Sequence, residues 1–188
     1  MYIARILYPV KVLGPGNRIG IWFAGCHHKC RGCSNPELWK VDEKYFVTIE
    51  QVEKLIRTVA SENKIDGFTI TGGDPVEQAS ELTNLLIRVA DISQDVILYT
   101  GYQRKELTSE AQIKLLERIA VLIDGEYKEE LNDGAFLRGS SNQIIHILSN
   151  QYRDKYEKYI KGNHNEIQNF MINNEVISVG IHNKEFRF

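Results

Sequence analysis

Short apolar runs that end near a glycine, separated by amphipathic stretches of helical period, recur between residues 19 and 125, and nothing else in the chain restricts its fold as strongly. Residues 19–24 (IGIWFA) run into Gly25, Gly67–Thr71 into Gly72-Gly73, Val96–Tyr99 toward Gly101, and Ala120–Ile123 into Asp124-Gly125. Between them, Ile49, Val52, Leu55, Ile56 and Val59 form one helical stripe, and Leu82, Leu85, Leu86 and Val89 form a second within about Ser80–Asp91. Leu115, Leu116 and Ile119 mark a third. Thr48 with Gln51 and Ser109 with Gln112 have the spacing of capping boxes, in which the side chain at each end caps the other's backbone N–H. Strands alternating with helices of this length predict βαβ units and a parallel sheet, an α/β fold. In such a sheet every loop that follows a strand emerges at one edge, where α/β proteins build their sites. The short glycine loops and the small core predict an incomplete parallel (β/α) barrel with a lateral opening.

The pattern changes beyond about residue 134. Gln143–Leu148 reads as one more strand and Gln151–Ile160 as a polar helix. Phe170–Ile172 and Val176–Ile181, joined at Asn173-Asn174, read as a hairpin, and Lys161–Asn169 reads as a flexible loop. At 188 residues the chain is long enough to bury one core, and its 43% hydrophobic and 26% charged residues are those of a globular protein. A net charge of −2 offers nothing to nucleic acid or to an anionic membrane. Arg5, Pro9 and Lys11 break the first twelve residues, which therefore read as neither signal peptide nor membrane span. A cytoplasmic location is expected.

The three cysteines, Cys26, Cys30 and Cys33, lie within eight residues. An odd number so closely spaced makes a poor disulfide framework and leaves a metal site or a redox pair. Gly25, Gly32 and Pro36 argue that the segment is a loop, able to wrap three thiolates round one inorganic group. Structural zinc needs a fourth ligand, which His27 or His28 would have to supply from inside the same loop. A [4Fe-4S] cluster held by three thiolates keeps one iron open to a substrate or cofactor.

The spacing Cys26-x3-Cys30-x2-Cys33 resembles that of the radical S-adenosylmethionine (SAM) superfamily, and Thr71-Gly72-Gly73-Asp74-Pro75 resembles its glycine-rich loop one βα unit later. Gly14-Pro15-Gly16-Asn17-Arg18, Trp22–Cys26, and Ser34-Asn35-Pro36 with Trp39 are similar to the enzymes that activate glycyl-radical proteins. Gly32 before the third cysteine, with His28, points to the activating proteins of anaerobic (class III) ribonucleotide reductase. Tyr99–Tyr102, Leu122–Gly125 and Arg138–Gln143 extend the match, while His27 is an extra residue in the motif.

The resemblance implies a radical SAM core over residues 1–148, with 149–188 as a helix and hairpin extension of the same domain. It implies Cys26, Cys30 and Cys33 as ligands of one [4Fe-4S] cluster. Gly72, Gly73 and Asp74 would receive the amino group of S-adenosylmethionine, and the backbone at Gly32 and Ser34 would lie against its adenine side. An external electron donor and a glycyl-radical partner, the anaerobic ribonucleotide reductase, complete the expected system. The other readings are a radical SAM enzyme acting on a peptide or small molecule, such as a 7-carboxy-7-deazaguanine synthase, and a zinc or electron-transfer module. Trp22, Phe23 and Trp39 read as core, Asp74 also as a helix cap, and Arg138–Gln143 also as a turn whose side chains satisfy its backbone.

Overall fold

The computed structural model describes residues 1–162, 164–172 and 174–183. Among them, six strands form one sheet in chain order: β1 (Ile3–Val10), β2 (Arg18–Phe23), β3 (Gly67–Gly72), β4 (Val96–Tyr99), β5 (Val121–Asp124) and β6 (Ile144–Ile147). The pairs β2–β3, β3–β4 and β4–β5 are parallel, and β1 and β6 close the two edges antiparallel. The fold is thus α/β with a mostly parallel sheet. Helices α1 (Ile49–Glu62), α2 (Ala79–Arg88) and α3 (Glu110–Leu116) connect the parallel strands.

Both capping boxes form. Thr48 Oγ1 accepts from Gln51 N at 3.3 Å while Gln51 Oε1 accepts from Thr48 N at 2.9 Å, and Ser109 and Gln112 repeat the exchange. Because strand order follows chain order without reversal, all three crossovers deliver their helices to one face. There Val52 and Ile56 of α1, Leu82, Leu85 and Leu86 of α2 and Leu115 of α3 pack on Ile19, Ile21, Phe23, Phe68, Ile70, Leu98 and Leu122. The side chains that alternate with these point to the opposite face.

That opposite face is covered by the C-terminal part of the chain. Helix α4 (Arg153–Gly162) lays the fully buried Tyr156 over Ile97, Val121 and Ile123. The hairpin β7 (Ile167–Ile172) and β8 (Glu175–Gly180) packs Phe170, Ile177 and Val179 on Leu7, Val10 and Trp22. Beneath α4 lies a buried charge network. Arg18 donates to Asp95 Oδ1 at 3.1 Å, to Thr69 Oγ1 at 2.8 Å and to the Phe68 carbonyl at 2.6 Å. Asp95 also accepts from Lys155 Nζ at 2.5 Å and from the Tyr156 hydroxyl.

The first residues, for which the sequence pattern predicts no element, carry strand β1, with Pro9 tolerated because the strand is at an edge. Three expectations need correction. Ile167–Asn169 belong to β7 and not to a flexible loop, because the Gln168 amide is held from outside the hairpin, donating to Pro9 O at 2.7 Å and accepting from Lys11 N at 3.0 Å. α3 stops at Leu116, short of Ile119, since Ala120 N already pairs with Val96 O at 2.9 Å and the chain must turn to enter β5. α2 likewise ends at Arg88 rather than Asp91. Of the hairpin turn, Asn173 lies outside the described residues, as do residues 184–188 of the extension.

Candidate metal and cofactor site

The loops leaving the carboxyl ends of β2, β3, β4 and β5 meet at one edge, and Phe23↔Gly72 is the last rung of the β2–β3 ladder. The cysteine loop and the glycine loop therefore start side by side. Gly73 N donates to Phe23 O at 2.7 Å and Asp74 N to Gly25 O at 2.7 Å. A Cβ on Gly73 would stand 2.2 Å from Gly25 O, so this approach of two backbones requires glycine. The cysteine loop returns by Gly25 N to Leu38 O at 2.8 Å and Cys26 N to Trp39 O at 3.0 Å. Within it, Gly32 takes φ +71°, where glycine is the natural occupant.

Cys26, Cys30 and Cys33 are unpaired and half-buried, and all three line one cleft with Ser34, Gly72, Gly73 and Asp74. Gly32 is exposed in the same loop but does not line the cleft; a Cβ there would meet Glu129. Trp39, read from the sequence as core, is on the cleft wall, whereas Trp22 and Phe23 are core. Tyr127 and Ile181 also line the cleft, and no local pattern in the sequence marks either.

Asp74 is 1% exposed and caps the 3-10 turn Pro75–Gln78 by accepting from Val76 N at 3.2 Å. Its carboxylate does more than cap. Oδ2 accepts from Gly101 N at 2.9 Å, and the Thr100 hydroxyl donates to Oδ1 at 2.9 Å. His28 Nε2 lies 3.2 Å from Oδ2. One buried carboxylate thus ties the β3 loop, the β4 loop and the cysteine loop. That contact holds the His28 imidazole above its usual range, against the effect of burial. The ring in turn lies on Gly101, where a Cβ would stand 2.5 Å from it, and meets Tyr102 edge-on. His27 pairs instead with Glu77 at 2.8 Å.

The Arg138–Gln143 segment is a turn of the kind expected. Gln143 Oε1 accepts from Gly139 N and Ser140 N at 2.8 and 3.1 Å, and Nε2 donates to Gly125 O at 2.8 Å, which binds the turn to the β5 loop.

The donor set suits an iron–sulfur cluster. Burial pushes the Cys26 thiol up, and burial followed by the Glu126 carboxylate pushes Cys30 up to about 11. Both shifts favour the neutral thiol, so a metal core binding here must displace the protons. Among the described residues, no three His, Cys, Asp or Glu side chains gather closely enough to hold a single metal ion. Three thiols on one cleft, with no fourth cysteine in the chain, suit a cluster that keeps one iron open better than a tetrahedral zinc, which needs a fourth ligand.

Residues 12–146 match the family described as "4Fe-4S single cluster domain". The chain is similar to the anaerobic ribonucleoside-triphosphate reductase-activating protein of Salmonella typhimurium, at 35% identity over 149 residues that cover 75% of this chain and 96% of that protein. Its similarity to the proteins of the same name from Vibrio cholerae and Enterobacteria phage T4 is 37% and 34%. Those matches cover 74% of this chain in each case, and 94% and 90% of the relatives. Among the described residues, no helix is long and apolar enough to cross a membrane.

Proposed function

This chain belongs to the 4Fe-4S single cluster family and, within it, to the anaerobic ribonucleoside-triphosphate reductase-activating proteins, and we propose that it installs a glycyl radical on such a reductase with S-adenosylmethionine as cofactor. One observation carries this reading: the three thiols of the chain open onto the same cleft as the Gly72-Gly73-Asp74 loop. In it, Cys26, Cys30 and Cys33 hold one [4Fe-4S] cluster and leave one iron free. The bound pair supplies one-electron cleavage of the sulfonium carbon–sulfur bond, ending in hydrogen abstraction from a partner glycine.

The chain's own residues bind and orient. Gly72, Gly73 and Asp74 would receive the cofactor's amino group and the backbone at Ser34 would lie against its adenine side, whereas Gly32, outside the cleft, would serve by shaping the loop. The one-way winding of the sheet supports an incomplete barrel of the radical SAM type. A second cavity, of about 840 Å³, shares His28, Gly101 and Gly125 with the cleft and offers an extended partner segment a way in. Glycine suits that segment because its Cα carries no side chain to obstruct approach. In this reading the electron comes from an external donor and the protein works in the cytoplasm, without nucleic acid or membrane.

The test mixes anaerobically reconstituted protein with the reductase, S-adenosylmethionine and reductant under argon. A doublet in the electron paramagnetic resonance spectrum, centred on the reductase and absent with Cys30→Ala, is expected. Cofactor cleavage without the doublet would move the assignment to another partner or to a small molecule.

A further inference from the structure

Trp39 stands out among the residues that line the cleft. It follows the 3-10 turn Pro36–Leu38, and its carbonyl accepts from Cys26 N at 3.0 Å, so its backbone is fixed to that of the first cysteine. Trp39 lines the cleft together with all three cysteines. Its indole Nε1 is nonetheless buried and makes no hydrogen bond. Buried N–H groups are nearly always paired, and leaving one without an acceptor is costly. A phenylalanine would place an aromatic ring there without that cost. An unsatisfied donor on the wall of a cleft built for an anionic, sulfur-rich group indicates where its acceptor comes from.

We propose that the Trp39 indole N–H donates a hydrogen bond to the sulfur atoms of the iron–sulfur group held by Cys26, Cys30 and Cys33, and thereby sets how readily that group is reduced. The inference rests on the cluster reading above. A donor to sulfur stabilises the more negative, reduced state, so removing it lowers the reduction potential. Trp39 acts here as a positioning and tuning residue.

Trp39→Phe keeps an aromatic ring, though a smaller one, and deletes the donor. In the reconstituted protein without S-adenosylmethionine, this substitution shifts the one-electron equilibrium toward the oxidised state by about tenfold, a midpoint about 59 mV more negative. Substitution lowers the melting temperature of the loaded protein by more than that of the metal-free protein, because the smaller ring costs both forms alike and only the loaded form also loses a hydrogen bond. The chain has two tryptophans, so a spectrum of indole-¹⁵N-labelled protein carries two indole signals, and Trp39→Phe assigns them. The Trp39 signal moves when the wild-type protein is loaded without S-adenosylmethionine.

An unchanged potential in the variant overturns the inference, as does an unmoved indole signal, the latter even if the variant fails to load iron. A variant with normal potential but weaker S-adenosylmethionine binding would assign the donor to the cofactor instead and overturn it as well. Should wild-type protein bind no iron and sulfide, the cluster reading itself falls, which is a distinguishable result.

Discussion

Asp74 answers for three loops at once. Its oxygens take the Val76 N–H, the Gly101 N–H and the Thr100 hydroxyl, with His28 beside them. Truncation to alanine leaves those donors without an acceptor in a buried place, a penalty of about 1–3 kcal/mol. Asp74→Ala is therefore expected to lower the melting temperature of the metal-free protein. It is also expected to weaken S-adenosylmethionine binding by about tenfold, the equivalent of one charge-assisted hydrogen bond. Melting and calorimetry read the two effects separately. An unchanged melting temperature would show that the loops do not depend on this carboxylate.

Among the elements, legibility followed the range of the interactions. The capping boxes at Thr48 and Ser109 exchange hydrogen bonds over three residues, and both were readable. The glycine loops were readable because each follows directly on its strand. Of β7, Phe170–Ile172 was readable and Ile167–Asn169 was not, since what orders Gln168 is Pro9 and Lys11, more than 150 residues away. β1 was not either: its partner is β2, and its own sequence alternates too poorly to announce a strand. Trp39 looked like core because a tryptophan beside Leu38 is usually that, and only the return of the loop onto Cys26 carries it to the cleft. The loop pair at Gly73 gives an element-scale prediction. A Cβ 2.2 Å from Gly25 O forces the β3 loop off the cysteine loop. Gly73→Ala should retain native helix content by circular dichroism while its iron content after reconstitution falls well below wild type. Full iron loading would show that the close approach is dispensable.

At the scale of the whole molecule, the sheet is covered on both faces by different stretches of chain, the crossover helices on one and the C-terminal segment on the other. The family match ends at residue 146, so the second covering lies beyond it. Its anchors among the described residues include Tyr156 and Lys155 on Asp95, Asn165 on the Leu137 N–H, Gln168 on Pro9, and the His182 carbonyl on Asn132. The first anchor is also the most demanding electrostatically. Asp95 is the only carboxylate paired with the buried guanidinium of Arg18 among the described residues. Asp95→Ala strands that charge, and a loss of about 3–5 kcal/mol of stability is expected, measured by anaerobic denaturation. A loss below about 1 kcal/mol would mean that the Phe68 and Pro15 carbonyls and Thr69 suffice for the guanidinium.

The far end of that covering segment brings Ile181 to the cleft wall beside the cysteines. Ribosomes deliver a chain from its amino end, so the thiols are made long before the wall that borders them. At about 5–20 residues per second, the roughly 150 residues between Cys33 and Ile181 take about 7–30 s to make. Through that interval the walls of the chamber arrive one loop at a time, and the side that Ile181 supplies is the last to be made, so the three sulfurs exist in a newborn molecule before their chamber is closed.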